Sequence, residues 1–231
     1  MPIVLVIDTE TTGLPKIQKL IPNNLNYDNW PMCVQFSQLL FNTDSNNILA
    51  INDNIIRTPN GDEITQESSD IHHITNEISQ RDGLPFISII NSFIANLKLA
   101  DIIVAHNMDF DKNVIISELY RIVSLTRDDQ EKEYWESIIN EIGISTKFYC
   151  TMLKSTNLCN IQAVGKNNWK YTKFPKLSEL NNHLFHYEPK NLHNSLNDIL
   201  ICFRCFYKLY FDIDIYQEHK LIKVLIDTLT N

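Results

Sequence analysis

Two carboxylates close the most apolar stretch near the start of the chain, where Ile3-Val4-Leu5-Val6-Ile7 runs into Asp8-Thr9-Glu10-Thr11-Thr12-Gly13-Leu14. An unbroken run of apolar, largely β-branched residues reads as a strand buried on both faces, at the centre of a sheet. Side chains two apart on an extended backbone share a face, so Asp8 and Glu10 point the same way. Two anions side by side at the end of a buried strand repel, and burying either unpaired is costly or forces protonation. A hard divalent cation with oxygen ligands, Mg²⁺ or Mn²⁺, resolves that conflict. A strand end whose acids simply face water resolves it too, so further ligands must come from elsewhere in the chain.

Two later stretches set an acid beside an apolar element. In Val104-Ala105-His106-Asn107-Met108-Asp109-Phe110-Asp111 a short strand ends and a helix begins. Asn107 suits the N-cap and puts Asp111 in the first turn, where the helix dipole favours an anion. Complementing that dipole would by itself account for Asp109 and Asp111. The second stretch is His193-Asn194-Ser195-Leu196-Asn197-Asp198. Ser195 and Asp198 have the spacing of a capping box, which leaves His193 outside the helix on a loop. A loop histidine exchanges protons near neutral pH, as a general base must, though most such residues are merely surface groups.

Taken together and in chain order, these stretches resemble the DnaQ-like DEDDh 3′–5′ exonucleases of the ribonuclease H-like superfamily, which include polymerase proofreading subunits and RNase T-like enzymes. The resemblance rests on DTETTGL at 8–14, AHNMDFD at 105–111 and HNSLND at 193–198. IHHIT at 71–75 is similar to the family's IHGIT, with His73 where Gly is usual, and 150–152 and 176–180 resemble lesser landmarks. Only 124–146 and about the last twenty residues fall outside it.

The resemblance implies a five-stranded mixed sheet in the order 3-2-1-4-5 with flanking helices. It implies that Asp8, Glu10, Asp111 and Asp198 hold two Mg²⁺ or Mn²⁺ ions, with Asp8 bridging. His193 would take the proton of the attacking water, and a nucleoside 5′-monophosphate would leave the 3′ end of a single-stranded or frayed DNA. Leu14 matches the wedge position against the terminal base. Backbone N–H groups from Thr9 to Thr12, His106 and the Asn107 side chain are the expected contacts to the terminal nucleotide. Proofreading or repair, with a DNA polymerase as partner, is the role this suggests. An exoribonuclease or endonucleolytic relative would use the same metals, and a non-catalytic interaction module could keep the same fold.

The elements that must position these groups follow from periodicity. Strands are expected near 3–7, 32–41 and 48–57 as an antiparallel meander, then at 102–105 and from 148. Helices are expected over 85–99, 109–123, 126–141, 177–185, 195–210 and 213–229. The stretches 15–31 and 158–175 read as loop, and 58–83 is polar and acidic. This predicts a domain over 1–211 with a helical insertion near 124–146, and a C-terminal helix within 212–231 packed on the same domain.

At 231 residues and a net charge of −8, the chain is not a binder that works by wrapping phosphates electrostatically. An enzyme that grips a strand end through metals is compatible with that charge. The balance is local, because 147–176 holds six lysines and no Asp or Glu. Within it Lys166, Lys170 and Lys173 interleave with Trp169, Tyr171 and Phe174, a combination suited to a flexible polynucleotide. The absence of a long apolar run and of a basic leader points to an intracellular protein, cytoplasmic or nuclear. Five cysteines without a paired framework fit free thiols, and Cys202 and Cys205, spaced as CxxC, fit a helix core better than zinc.

Overall fold

The computed structural model describes residues 1–59 and 64–229. Residues 60–63, in the polar stretch, and 230–231, at the end of the C-terminal segment, lie outside the described residues.

In chain order the elements are β1 (Ile3–Thr11), β2 (Cys33–Asn42), β3 (Asn47–Ile55), α1 (Gln66–His72), α2 (Asn76–Asp82), α3 (Phe86–Leu99), β4 (Ile102–Ala105), α4 (Met108–Leu125), α5 (Asp129–Ile144) and β5 (Phe148–Cys150). They continue with α6 (Thr151–Cys159), β6 (Gln162–Val164), β7 (Lys170–Thr172), α7 (Leu177–Phe185), α8 (Ser195–Phe211), α9 (Ile215–Glu218) and α10 (Lys220–Leu229). The main sheet has the order β3-β2-β1-β4-β5. β1, β2 and β3 pair antiparallel, and β4 and β5 add in parallel. This is the expected ribonuclease H-like α/β architecture.

The apolar run of β1 works by alternation. Leu5 and Ile7 belong to a core layer with α3, α4 and α5, whereas Val4 and Val6 face the opposite layer, built on α8. Continuing the alternation, Asp8 and Glu10 extend the α8 face, and Thr9 and Thr11 the α4 face. Helix α8 is buried almost all round, from Ser195 to Tyr207, as a helix apolar on every side must be. Cys202 and Cys205 are part of that packing.

Four features depart from what periodicity shows. The polar Gln35, Ser37 and Gln38 of β2 are buried; Gln38 accepts from Asn96 of α3, and the other two belong to the site. The stretch 58–83 carries two short helices, α1 and α2, each capped by a threonine side chain. The segment 158–175 is not all loop but holds the β6–β7 hairpin. The expected single helix over 213–229 is broken at His219, whose Nδ1 accepts the Ile222 N–H at the start of α10.

Ile215, Ile222 and Ile226 pack into the α8 layer. Asp214 takes both arms of the buried Arg204 guanidinium at 2.8 and 2.7 Å. That guanidinium lies between the rings of Phe185 (3.9 Å) and Tyr216 (4.4 Å). Among the described residues no helix is long and apolar enough to cross a membrane.

Candidate active site

Asp8 and Glu10 stand on β1 opposite Ser37 and Gln35 of β2. Asp111 reaches them from the first turn of α4, and Asp198 from the first turn of α8. Two helix N-termini therefore converge on one strand, each bringing a carboxylate.

The carboxylates are held differently. Asp111 is 2 % exposed, and its Oδ1 accepts both the backbone N–H and the hydroxyl of Thr9, each at 2.9 Å. Asp198 Oδ2 accepts the His193 N–H at 3.1 Å, while its Oδ1 is buried with no hydrogen-bond partner among the described residues. Asp8 Oδ2 is likewise buried and unpartnered among the described residues. Ligand atoms of Glu10, His193 and Asp198 lie within 4.8 Å of one another.

Burial pushes all four acids upward, and repulsion adds to it at Glu10, Asp111 and Asp198. Loss of solvent raises Asp8 to about 7. Glu10 rises to about 9, first by loss of solvent and then by the charges of Asp8, Asp198 and Asp111. Asp111 and Asp198 stand well above the carboxylate range, through burial first and Asp8 second. A buried oxygen without a donor costs more than the net worth of a hydrogen bond, so such groups call for an explanation. The donor set, all oxygen with one imidazole beside it, is of the kind that suits a hard divalent cation.

His193 is solvent-exposed on the loop before α8, at φ 68°. Its imidazole is shifted below the ordinary histidine value, mainly by partial loss of solvent and then by the Lys176 ammonium and His73. The α8 cap is not the expected Ser195–Asp198 box. Asn194 caps the helix by accepting the Asn197 N–H, and Asn197 Nδ2 donates to the Asn191 carbonyl at 2.7 Å. Ser195 is freed for the site and donates to the Asp8 carbonyl at 2.7 Å.

Several expected substrate contacts are already engaged within the protein. The donors of Thr9 serve Asp111. The Thr12 N–H donates to the Met32 carbonyl, and its hydroxyl accepts the Met32 N–H. The His106 ring spans Thr151 and the Pro175 carbonyl with its two nitrogens, and burial lowers it to about 4. Lys173 is paired with Glu179. Leu14 is 75 % exposed, and Asn107 is exposed in a left-handed conformation at the head of α4, with no side-chain cap bond. Lys166 and Lys170 are exposed on the hairpin.

The sequence reading missed His72. It is buried, accepts the Ile74 N–H at Nδ1, and therefore donates from Nε2 to the Thr11 carbonyl at 3.2 Å. The signal was its place in IHHIT. His73, where Gly is usual, sits at φ 62° as the left-handed C-cap of α1, the conformation for which Gly has no steric cost.

Beside Leu14 opens a cavity of about 1130 Å³, lined also by Thr12, Tyr27, Trp30, Arg57 and Arg121, but by none of the four carboxylates.

No family model and no curated protein sequence matches the chain. Among solved structures, the chain is similar to E. coli Exonuclease I in complex with a dT13 oligonucleotide. The identity is 12 % and the TM-score 0.60, covering 96 % of this chain and 43 % of that one. A moderately thermophilic Exonuclease I from Methylocaldum szegediense matches at 14 % identity and TM-score 0.59, covering 99 % and 42 %. A product-bound exonuclease I matches at 12 % and 0.60, covering 98 % and 45 %. The chain thus spans less than half the length of these proteins, and at such identity the likeness is one of fold.

Proposed function

We propose that the chain is a metal-dependent 3′–5′ exonuclease that releases nucleoside 5′-monophosphates from single-stranded DNA. The observation that carries this reading is the pair of buried, donorless oxygens, Asp8 Oδ2 and Asp198 Oδ1, in a cluster of four carboxylates with a histidine beside it. Asp8, Glu10, Asp111 and Asp198 would hold two Mg²⁺ or Mn²⁺ ions. Such a pair neutralises the acids and stabilises the attacking and leaving oxygens of an in-line displacement.

The chain's own groups do the rest. His193, kept neutral near pH 7 by its lowered affinity for protons, accepts a proton from the attacking water at a ring nitrogen. The water oxygen bonds to phosphorus as the bond to the 3′ oxygen of the preceding sugar breaks. Exposed Leu14 lies against the terminal base, and the free Asn107 side chain meets the terminal nucleotide. Thr9 and Ser195 do not touch substrate; they fix Asp111 and the start of α8. Exonuclease I was crystallised with single-stranded DNA oligonucleotides, which supports the choice of DNA.

The test is digestion of 5′-labelled DNA and RNA oligonucleotides and a closed single-stranded circle, with and without Mn²⁺. Stepwise shortening of linear DNA, dependent on Mn²⁺ and absent in Asp8→Ala, is the expected result. Cleavage of the circle, preference for RNA, or no Mn²⁺-dependent release of mononucleotides would overturn the reading.

A further inference from the structure

The β6–β7 hairpin pairs Gln162 with Thr172, Ala163 with Tyr171 and Val164 with Lys170. Asn167 and Asn168 take left-handed conformations in its turn, at φ 66° and 57°. Trp169 and Tyr171, two residues apart, stack their rings with centroids 5.3 Å apart and planes 14° from parallel. They close over Gly165, where an added Cβ would already stand 3.5 Å from the Tyr171 ring.

This ring pair belongs to none of the three core clusters, and Trp169 is 69 % exposed. Trp30 and Trp135, by contrast, are at most 6 % exposed. Leaving an indole and a phenol stacked in water forgoes their burial, among the largest any side chains offer. The stack holds the indole against Tyr171 while most of its surface stays open to solvent.

The segment that carries it is basic. Lys166 and Lys170 are exposed and in no ion pair among the described residues, whereas Lys173 is held by Glu179. No Asp or Glu occurs from 147 to 176, in a chain of net charge −8. A polyanion repelled elsewhere finds its favourable surface here.

The hairpin is tied to the site. The Pro175 carbonyl, three residues past β7, accepts from His106 Nε2 at 3.0 Å, one residue from Asn107. Lys176, next in the chain, lies close enough to His193 to depress its protonation.

We propose that the β6–β7 hairpin is a second binding surface for a single-stranded polynucleotide, stacking a base on Trp169 and meeting phosphates with Lys166 and Lys170. The reading that the strand enters with its 3′ end at the carboxylates rests on the exonuclease assignment; the surface itself does not. A flat, braced π-face suits a planar base and is superfluous for an acidic peptide, which needs only the lysines.

The experiment uses the full chain and three variants, Trp169→Ala, Lys166→Gln/Lys170→Gln and Tyr171→Ala. Binding of fluorescein-labelled dT20 is followed by anisotropy in Ca²⁺ across a salt series. Hydrolysis of the p-nitrophenyl ester of thymidine 5′-monophosphate is followed in Mn²⁺. Trp169→Ala should weaken dT20 binding about five- to tenfold, within the range for one stacked base. It should also abolish most quenching of tryptophan fluorescence by dT20. The lysine pair should lower the salt slope by about 1.4, at about 0.7 per phosphate contact on a single strand. Ester hydrolysis should stay within twofold in every variant. Unchanged dT20 binding by Trp169→Ala overturns the proposal. So does loss in the lysine variant alone with equal competition by polyglutamate, since that describes a site for any acidic chain. Absence of ester hydrolysis by the unmodified chain strikes the exonuclease assignment and leaves the binding arm decisive for the hairpin.

Discussion

The Ser195 hydroxyl donates to the main-chain carbonyl of Asp8 at 2.7 Å, joining residues 187 positions apart. The same oxygen accepts the Ser37 N–H, and the Ser195 N–H donates to Gln35 Oε1. Gln35 and Ser37 in turn both donate to Asp53 Oδ1 on β3. A relay across three strands, buried at Ser195, Ser37 and Gln35 and reaching solvent at Asp53, therefore fixes where α8 starts, and with it Asp198 and His193.

Ser195→Ala should strip this relay at its centre. It leaves the Asp8 carbonyl and the Ser37 N–H short of partners in a fully buried place. The expected cost is about 1–3 kcal/mol by urea denaturation. A larger fall in kcat than in substrate affinity should accompany it, because Asp198 loses its register with Asp8. A variant as stable and as active as the parent would show the relay to be incidental.

The clustered acids predict an inverted pH dependence for the metal-free protein. The folded values of Glu10 and Asp8, about 9 and about 7, lie above those of an unfolded chain. The folded state thus binds more protons, and its stability falls as pH rises toward 9. Between about pH 6.5 and 8, above ordinary histidine and below ordinary cysteine titration, the slope belongs chiefly to these carboxylates. In EDTA the Tm should drop across that window. Mn²⁺ should restore it, most at the upper end, and Asp8→Asn should flatten the EDTA slope. A Tm that rises with pH in EDTA would contradict the crowding of negative charge.

His193→Gln should lower kcat by about 10²–10⁴, the usual scale for general-base assistance, with Mn²⁺ affinity retained. The ring also lies within ligand distance of Glu10 and Asp198. Loss of Mn²⁺ binding in the variant would therefore make it a ligand instead of a base. In the unmodified chain kcat should climb with pH and level off, with its midpoint below the ordinary histidine value. Lys176→Met removes the second cause of that depression and should move the midpoint upward.

The sequence made the central strand and its consequences legible because alternation is a rigid geometric rule. Val4 and Val6 face α8, so Asp8 and Glu10 must as well. The meander and the later apolar runs pointed to a mixed sheet covered by helices, whereas the strand order came from the family resemblance. Tertiary partners were hidden where a local explanation sufficed: Ser195 looked like a cap until Asp8 claimed its hydroxyl. Nothing local shows that Gln35 and Ser37 are buried, because alternation cannot reveal a helix covering that face. The strands of β6 and β7 span three residues each, too short for any period to register. Thr9 was expected to face a nucleotide, but α4 supplies the acceptor its donors use.

His73 offers a test that separates backbone from side chain. As the left-handed C-cap of α1 it bears a steric cost of about 1–2 kcal/mol that Gly avoids. Glycine gives back about 0.5–1 kcal/mol through the greater freedom of the unfolded chain. His73→Gly should therefore stabilise the protein by up to about 1.5 kcal/mol, the difference of those two terms. His73→Ala keeps the strained backbone and should bring no such gain. Both variants remove a group that lowers the His193 proton affinity, so both should move the kcat midpoint slightly upward. Urea denaturation and a pH–rate profile on each variant give the two readouts. Equal stability in the glycine and alanine variants would mean that the chain around 73 relaxes out of the left-handed region. A shift of midpoint in only one of them would remove His73 from the electrostatics of the site.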